Sequence, residues 1–496
     1  MAQVVYILMV TWLTCCLAVP QDHQHKKLAA ERLGEVSFPI SCQASLQPQF
    51  NRAVALLHSF AYQAAEQSFQ AISGQDPNCA IAHWGIAMTY FHPLWVPPVA
   101  PEAYQPAWRE LELAQRAKAG TRRERKFVAA AELIFRNATS VPYEKRATQY
   151  EQAMHDLAAE FKSDVEAQIF YSLALLANAP PSDKTHGHQK AAADLLEPLS
   201  VAYPHHPGIP HYLIHAYDNA KMAERGLRAA HLYAKVAPSA PHALHMPSHI
   251  FTRLGFWEDS IASNRSARDA AHASGDTGEE LHAMDYLVYA YLQLGRDLEA
   301  ADVLAGLKSM TNLNMDDFKV AYASTAMPIR YQLERGHWSD AALILCPPDT
   351  PPQVTAIAVW AHGLGLARSG HASEISDSIN RLRQIESKLH ETGDSYWSEQ
   401  AGILRREVEA WGAFEKQRDE GLRQMRVAAD LEDSVEKLPV TPGPILPARE
   451  QLAEMLALCK APERAALEYR SALAAAPGRR RAMRGLAEIQ SQGFSR

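Results

Sequence analysis

A small residue, a bulky one four positions on and a proline eight further recur along this chain, a spacing suited to stacked helical hairpins. Ala65, Phe69 and Pro77 set the pattern, and Ala192, Leu196 and Pro204 repeat it. Ala465, Tyr469 and Pro477 do so again, and Gly226, Ala230 and Pro238 give a looser copy. Positions four apart share one face of an α-helix, and proline halts helix propagation. Each set therefore describes a helix with one tightly packed face and a fixed stop. Between these sets Ala, Leu, Glu and Gln dominate and strand signals are scarce. Breaks at proline or at short Gly and Asp clusters come roughly every 15 to 20 residues, as a run of helix pairs requires.

The 496 residues are 47% hydrophobic and 21% charged, which supplies ample material for a core. A length that would ordinarily imply several domains fits one elongated repeat body. Net charge is -7 and the basic residues are scattered, so nothing points to nucleic acid. The run Arg479-Arg480-Arg481 reads as a solvated helix start.

Residues Val4 to Val19 are almost wholly apolar and end at Leu17-Ala18-Val19-Pro20. This suits an export signal over 1–20, although no Lys or Arg precedes the run; an uncleaved anchor is the alternative. No other stretch is long and apolar enough to span a bilayer, so the expected location is outside the cytoplasm, secreted or periplasmic. Cys15 and Cys16 fall inside the signal, and Cys42, Cys79, Cys346 and Cys459 form no CxxC motif. A Cys42–Cys79 bridge and buried free thiols both stand as readings. Asn137-Ala138-Thr139 and Asn264-Arg265-Ser266 fit the N-glycosylation pattern.

The small–bulky–Pro sets resemble the second helix of a tetratricopeptide repeat. Ile86-Ala87 followed by Tyr90 resembles the first-helix Leu-Gly-x-x-Tyr segment of that family. Turns of its Leu-Gly-x-Trp type occur at Leu254-Gly255-Phe256-Trp257, with variants at Leu294-Gly295 and Gly336-His337-Trp338. The resemblance covers most of residues 46 to 490. It implies an all-α, right-handed α-solenoid of about ten helical hairpins, a scaffold that commonly binds proteins or peptides. The His-rich strings Leu56-Leu57-His58-Ser59-Phe60, Ala82-His83-Trp84-Gly85, His211 to Asp218 and His245-Met246-Pro247-Ser248-His249 resemble a group of exported bacterial-type repeat proteins. That resemblance brings no activity with it. The resulting map is a signal at 1–20, a polar lead at 21–45, the repeat array at 46–438, a Pro-rich linker at 439–447 and a last hairpin with capping helix at 448–496. The linker holds four prolines in nine residues. A second proline-rich stretch, Phe91 to Pro106, reads as a long inter-helix loop.

The chemistry concentrates in two His-x-x-x-His pairs, His211/His215 and His245/His249, which lie 34 residues apart, the length of one tetratricopeptide repeat. Each pair can aim two imidazoles at one point. On the first helix Pro210, Leu213, Ile214 and Tyr217 form the packing stripe, and His211, His215 and Asp218 form a polar stripe about 100° away. The next helix sets His242, His245 and His249 on the same displaced stripe, and a third sets His282 and Asp285 there. Three repeats thus present His or Asp on one face, expected to line the concave groove. The two pairs are expected to converge on one ion, with His211, His215, His245 and His249 as ligands. Asp218, His242, His282 and Asp285 are expected as supporting groups or alternative ligands. Imidazole suits Zn, Cu, Fe or Ni. A metal-free groove for an acidic ligand or peptide is the competing reading, and a hydrogen-bonded structural cluster is the third.

His58, His83 and His92 read as loop anchors or helix caps. His186, His188, His205 and His206 lie beside Pro and Gly and read as surface residues. Asp316-Asp317 and Glu279-Glu280 read as helix N-terminal acids. There is no His-Glu-x-x-His, Walker-type phosphate loop, Gly-x-Gly-x-x-Gly or Gly-x-Ser-x-Gly. The expected function is an exported binding scaffold whose His/Asp-lined groove holds a transition metal (Zn, Cu or Fe), an acidic ligand or a peptide. The alternatives are a metal-dependent enzyme on the same cluster, with Tyr212, Tyr217, Tyr286 or Tyr289 acting nearby, and a metal-free adaptor.

Overall fold

The computed structural model describes residues 31–95, 98–117, 120–345 and 350–493. The expected signal at 1–20 lies outside them, as do Cys15, Cys16 and Cys346. Among the described residues the regular structure is entirely helical. Helices pair with their chain neighbours from Gln47–His58 with Tyr62–Gln75 through to Ala448–Leu458 with Pro462–Ala475, and Arg480–Gly493 caps the end. The result is an all-α solenoid of helical hairpins.

The recurring small and bulky positions have a direct packing cause. Ala65, Phe69 and Ala465 are fully buried, and Tyr469 is nearly so. A methyl group on Gly85 would collide with the Phe69 ring, and one on Gly485 would collide with the Tyr469 ring. In both copies the aromatic of a second helix lies against a glycine sixteen positions later on the following helix. Close helix approach therefore requires the small residue, as tight interdigitation of side-chain ridges demands.

Two segments differ from their expected character. Residues from Leu33 onward are packed: Phe38 is fully buried with its ring 5.1–5.5 Å from those of Phe50, Trp84 and Phe127. The polar lead therefore ends well before residue 45, because Leu33 and Phe38 have apolar surface to bury. Cys42 and Cys79 form a disulfide that ties this stretch to the first repeats, their Cα atoms 5.1 Å apart. The Pro-rich stretch 439–447 is not a free linker. Val440, Thr441, Ile445 and Leu446 are buried, and the strap that contains them is anchored at its start by Glu436 N–H donating to Pro181 O.

The end of the chain returns to the middle of the array. Trp257 Nε1 donates to Gly478 O at 3.1 Å, and Arg480 pairs with Asp297 at 3.0 Å. Arg479 is fully buried against Glu334, Glu450 and Tyr289. The arginine run is thus an internal clasp rather than a solvated helix start. No helix among the described residues is long and apolar enough to cross a membrane.

Candidate metal centre

Three successive first helices build the site: Gly208–Tyr217, the pair Pro241–His245 and Pro247–Leu254, and Thr277–Gln293. Met246 joins the two short helices with helical dihedrals, φ -53° and ψ -36°. The four-residue spacing of His245 and His249 therefore survives the Pro247 interruption. All six histidines converge, in two sets. Ring nitrogens of His211, His215 and His242 lie within 4.8 Å of one another, and so do those of His245, His249 and His282. Five of the six are fully or almost fully buried, and His215 is half-buried.

The grouping differs from the expected one. Each His-x-x-x-His pair groups with a third imidazole from the next helix rather than with the other pair. The division is set by where the ring nitrogens point: each set's three lie within 4.8 Å of one another, while the rings of His215 and His249, in different sets, are 6.1 Å apart. His242 and His282 are thereby brought into the centre itself.

The back nitrogens fix the tautomers. His211 Nδ1 donates to His58 O at 2.6 Å and His245 Nδ1 to Asn264 Oδ1 at 2.7 Å. Asn264 spends its own amide on Ser260 O, so its Oδ1 is the acceptor. His249 Nδ1 donates to Asp218 Oδ2 at 2.9 Å and His242 Nδ1 to Glu279 Oε2 at 3.1 Å. Burial pushes His211, His215, His245 and His282 well below the ordinary histidine value, reinforced by the neighbouring imidazoles for His211, His215 and His245. His249 is pushed down by burial to about 4. A neutral ring whose Nδ1 carries the proton has a bare lone pair on Nε2. Yet His245 Nε2 faces His249 Nε2 at 3.0 Å, and His242 Nε2 faces His211 Nε2 at 3.2 Å. Two lone pairs at that distance repel unless a cation lies between them. Nitrogens bound tetrahedrally at 2.0–2.1 Å to one ion stand about 3.3 Å apart, close to these separations. His215 Nε2 lies 3.1 Å from His211 Nε2. Among the described residues His215 Nδ1 and His282 Nε2 are buried without a hydrogen-bond partner.

A third group, His58, Glu166 and His206, shows what a satisfied cluster looks like. Glu166 accepts from His58 Nε2 at 2.8 Å and from His206 Nε2 at 2.9 Å. The Tyr212 hydroxyl serves His58 Nδ1 at 2.9 Å, and Gly208 N–H donates to His206 Nδ1 at 3.2 Å. Every ring nitrogen has a complementary partner, so this network needs no ion. It holds the His58 carbonyl that orients His211.

The carboxylates play a different part from the one expected. Asp218 stands behind His249 and accepts also from Arg253 Nε and Lys437 Nζ, both at 2.8 Å. Asp285 is turned to Arg330, with Nε to Oδ1 3.4 Å, and does not join the histidines. A buried guanidinium one helix away offers Asp285 a permanent positive charge as its partner. Tyr286 alone of the four tyrosines faces the centre, its hydroxyl 3.4 Å from His249 Nε2. Tyr212 serves His58, Tyr217 bonds Glu197, and Tyr289 bonds Arg479.

The groove is roofed rather than open. Phe60, Leu94, Trp95 and Pro439 close over His215, His242 and His249. Phe60 adopts φ +54°, the left-handed region that a bulky residue enters at a cost. That conformation sets its ring 4.4 Å from His211 and 5.3 Å from His242. Lys319 pairs with Glu279 at 2.8 Å and lies over Trp95.

Several contributors were not legible as site residues. Glu279 looked like a helix-capping acid, although it lies three residues before His282 on the same stripe, a signal that periodicity does contain. Asn264, in a glycosylation pattern, is fully buried behind His245, so the folded chain cannot present it for modification. His186 and His206 are buried rather than at the surface, while His92 stacks on Tyr62 as a loop anchor.

No protein-family profile matches the chain, and no curated protein matches it. Among solved structures, yeast Tom70 is 9% identical over 90% of this chain and 88% of its own, with a TM-score of 0.31. A monomeric IFIT1 mutant with Gppp-AAAA is 10% identical over 90% and 98%, TM-score 0.29. The TPR domain of P58(IPK) is 13% identical over 91% and 100%, TM-score 0.22. Likenesses at this level carry no argument about the centre, and the architecture stands on the helix pairing itself.

Proposed function

We propose that this chain is a helical-repeat scaffold that holds a transition metal in its buried polyhistidine centre. The observation that carries the reading is the pairing of bare Nε2 atoms, His245 against His249 and His211 against His242, on rings whose Nδ1 protons are already committed. Hydrogen-bonded support such as that behind His211, His242, His245 and His249 is the usual companion of a metal site. The inner donors are all imidazole. Carboxylate-rich preferences such as Mg, Ca and Mn are therefore disfavoured, as is the two-His, one-carboxylate iron arrangement, which leaves copper and zinc in front. Export is part of the proposal: the apolar N-terminal run and the Cys42–Cys79 bridge both suit an oxidising compartment.

The competing use of the groove, for a peptide or acidic ligand, finds less support. The strap around Pro439 fills the face over the histidines, and Arg253 and Lys437 are engaged by Asp218. A protein partner would have to displace that strap or dock elsewhere on the array.

The test is metal content of the untagged full chain by mass spectrometry. Copper or zinc near stoichiometry is expected, lost in the double variant His211→Ala/His249→Ala. Protein that stays metal-free after soaking in copper, zinc and iron(II) would sink the proposal. Asp218→Asn should keep the ligands but weaken the anchor of His249, lowering metal affinity by about 10–100-fold in a competitive chelator titration.

A further inference from the structure

We propose that the centre holds two copper ions, one in each His triad, whose open positions share a small bridging oxygen ligand. The inference rests on the metal reading above and adds its number, identity and geometry.

Repeat register explains why the described residues hold two such His triads. Each is built as a His-x-x-x-His pair on one first helix plus the histidine that precedes the next pair: His211, His215 and His242, then His245, His249 and His282. Before the first triad the matching position is Gly208, 34 residues ahead of His242. A Cβ there would lie 2.8 Å from His58 Nδ1, so the place belongs to His58. After the second triad the positions matching His245 and His249 are Asp285 and Tyr289, forty residues on. They turn to Arg330 and Arg479. The array thus makes two copies of one three-nitrogen unit and ends it on both sides with a different residue.

The copies abut. Rings face each other across the boundary at 6.1 Å for His215 and His249, and again at 6.1 Å for His242 and His245. Within a triad the spacings run from 4.3 Å for His245 and His282 to 6.3 Å for His249 and His282, so the two sets are nearly continuous. Such nearness suits ions about 3.5–4 Å apart, the usual span of two-metal sites. Three protein nitrogens leave each ion a free position, and Tyr286 packs against the second triad with its hydroxyl near His249.

Charge selects the metal. The donors are six imidazoles, a ligand that brings no negative charge of its own. The carboxylates behind them are already paired, Asp218 with Arg253 and Lys437 and Glu279 with Lys319. With no free negative charge, two dications are poorly compensated in a buried site. Copper answers this twice: it can enter as a monocation, and as a dication it binds nitrogen donors most tightly of the first-row ions. A bridging hydroxide then offsets part of the charge of the oxidised pair.

Metal-stripped full-length chain would be titrated with Cu(I) under argon against a competing chelator. It would separately be loaded with Cu(II), freed of excess and measured by electron paramagnetic resonance. Two coppers per chain are expected, with a Cu(II) signal integrating to less than a tenth of the copper present, because bridged spins cancel. His242→Ala and His282→Ala should each bind one copper and regain full signal. One copper in the unaltered chain, or two with full signal, would overturn the pairing and leave a metal centre standing. No copper bound, with zinc also refused, would overturn the underlying reading as well. Should either variant fail to fold, the stoichiometry and signal of the unaltered chain decide alone.

Discussion

Arg479→Ala is expected to destabilise the folded chain by about 3–5 kcal/mol, the range for removing one partner of a buried ion pair. Arg479 is fully buried; its Nε and Nη2 donate to Glu450 Oε2 at 2.9 and 2.7 Å, and Nη2 reaches Glu334 Oε1 at 2.8 Å. Nη1 donates to the Tyr289 hydroxyl at 3.0 Å. Truncation strands two buried carboxylates and opens the clasp that holds the final hairpin to the middle of the array. Arg479→Lys keeps the charge but loses the planar fork, so it should fall between the two. Urea unfolding followed by circular dichroism measures both. A loss under about 1 kcal/mol for the alanine variant would mean that the pair contributes as little as an exposed one.

Glu407→Gln should have the opposite sign, with a pH dependence of its own. Glu407 is buried, and its Oε2 accepts from Trp360 Nε1 at 2.7 Å and Gln451 Nε2 at 2.8 Å. Burial, with nearby Glu432 adding to it, pushes its carboxyl well above the ordinary value; burial also raises Glu432, to about 8. The folded state therefore keeps a proton that the unfolded chain releases near pH 4.3. Where the folded state binds more protons, stability falls as pH rises. The contribution of Glu407 is full below about pH 4.3 and is lost upward from there at about 1.4 kcal/mol per pH unit until the folded group ionises. Glutamine mimics the neutral acid and does not titrate. Variant and parent should match near pH 4.5, and the variant should be the more stable of the two at pH 8. Parallel stability curves from pH 4.5 to 8 would show that Glu407 is ionised throughout in the folded chain.

Much of this molecule is written locally. Phe69 and Tyr469 foretold close helix contact because an aromatic can pack tightly only against a residue as small as Gly85 or Gly485. The polar stripe on the first helices was legible because residues three and four apart share a face, and it held His211, His215, His242, His245, His249 and His282 without exception. The same rule misplaced Asp285, since a stripe gives direction but not partner, and Arg330 lies on another helix. The proline-rich stretch at 439–447 looked like a spacer because composition reports stiffness, not what a segment packs against.

The sequence by itself determined the helical hairpins and the face that carries the histidines, since both follow from spacing within one helix. The tertiary structure decided that the histidines divide three and three, that Glu279 and Asn264 stand behind them, and that Phe60, Trp95 and Pro439 close the groove. Those outcomes depend on how one repeat packs against the next and on the return of the chain's end to its middle. Both are set by contacts between residues tens to hundreds of positions apart, such as Trp257 with Gly478 and Asp218 with Lys437, which no local periodicity encodes.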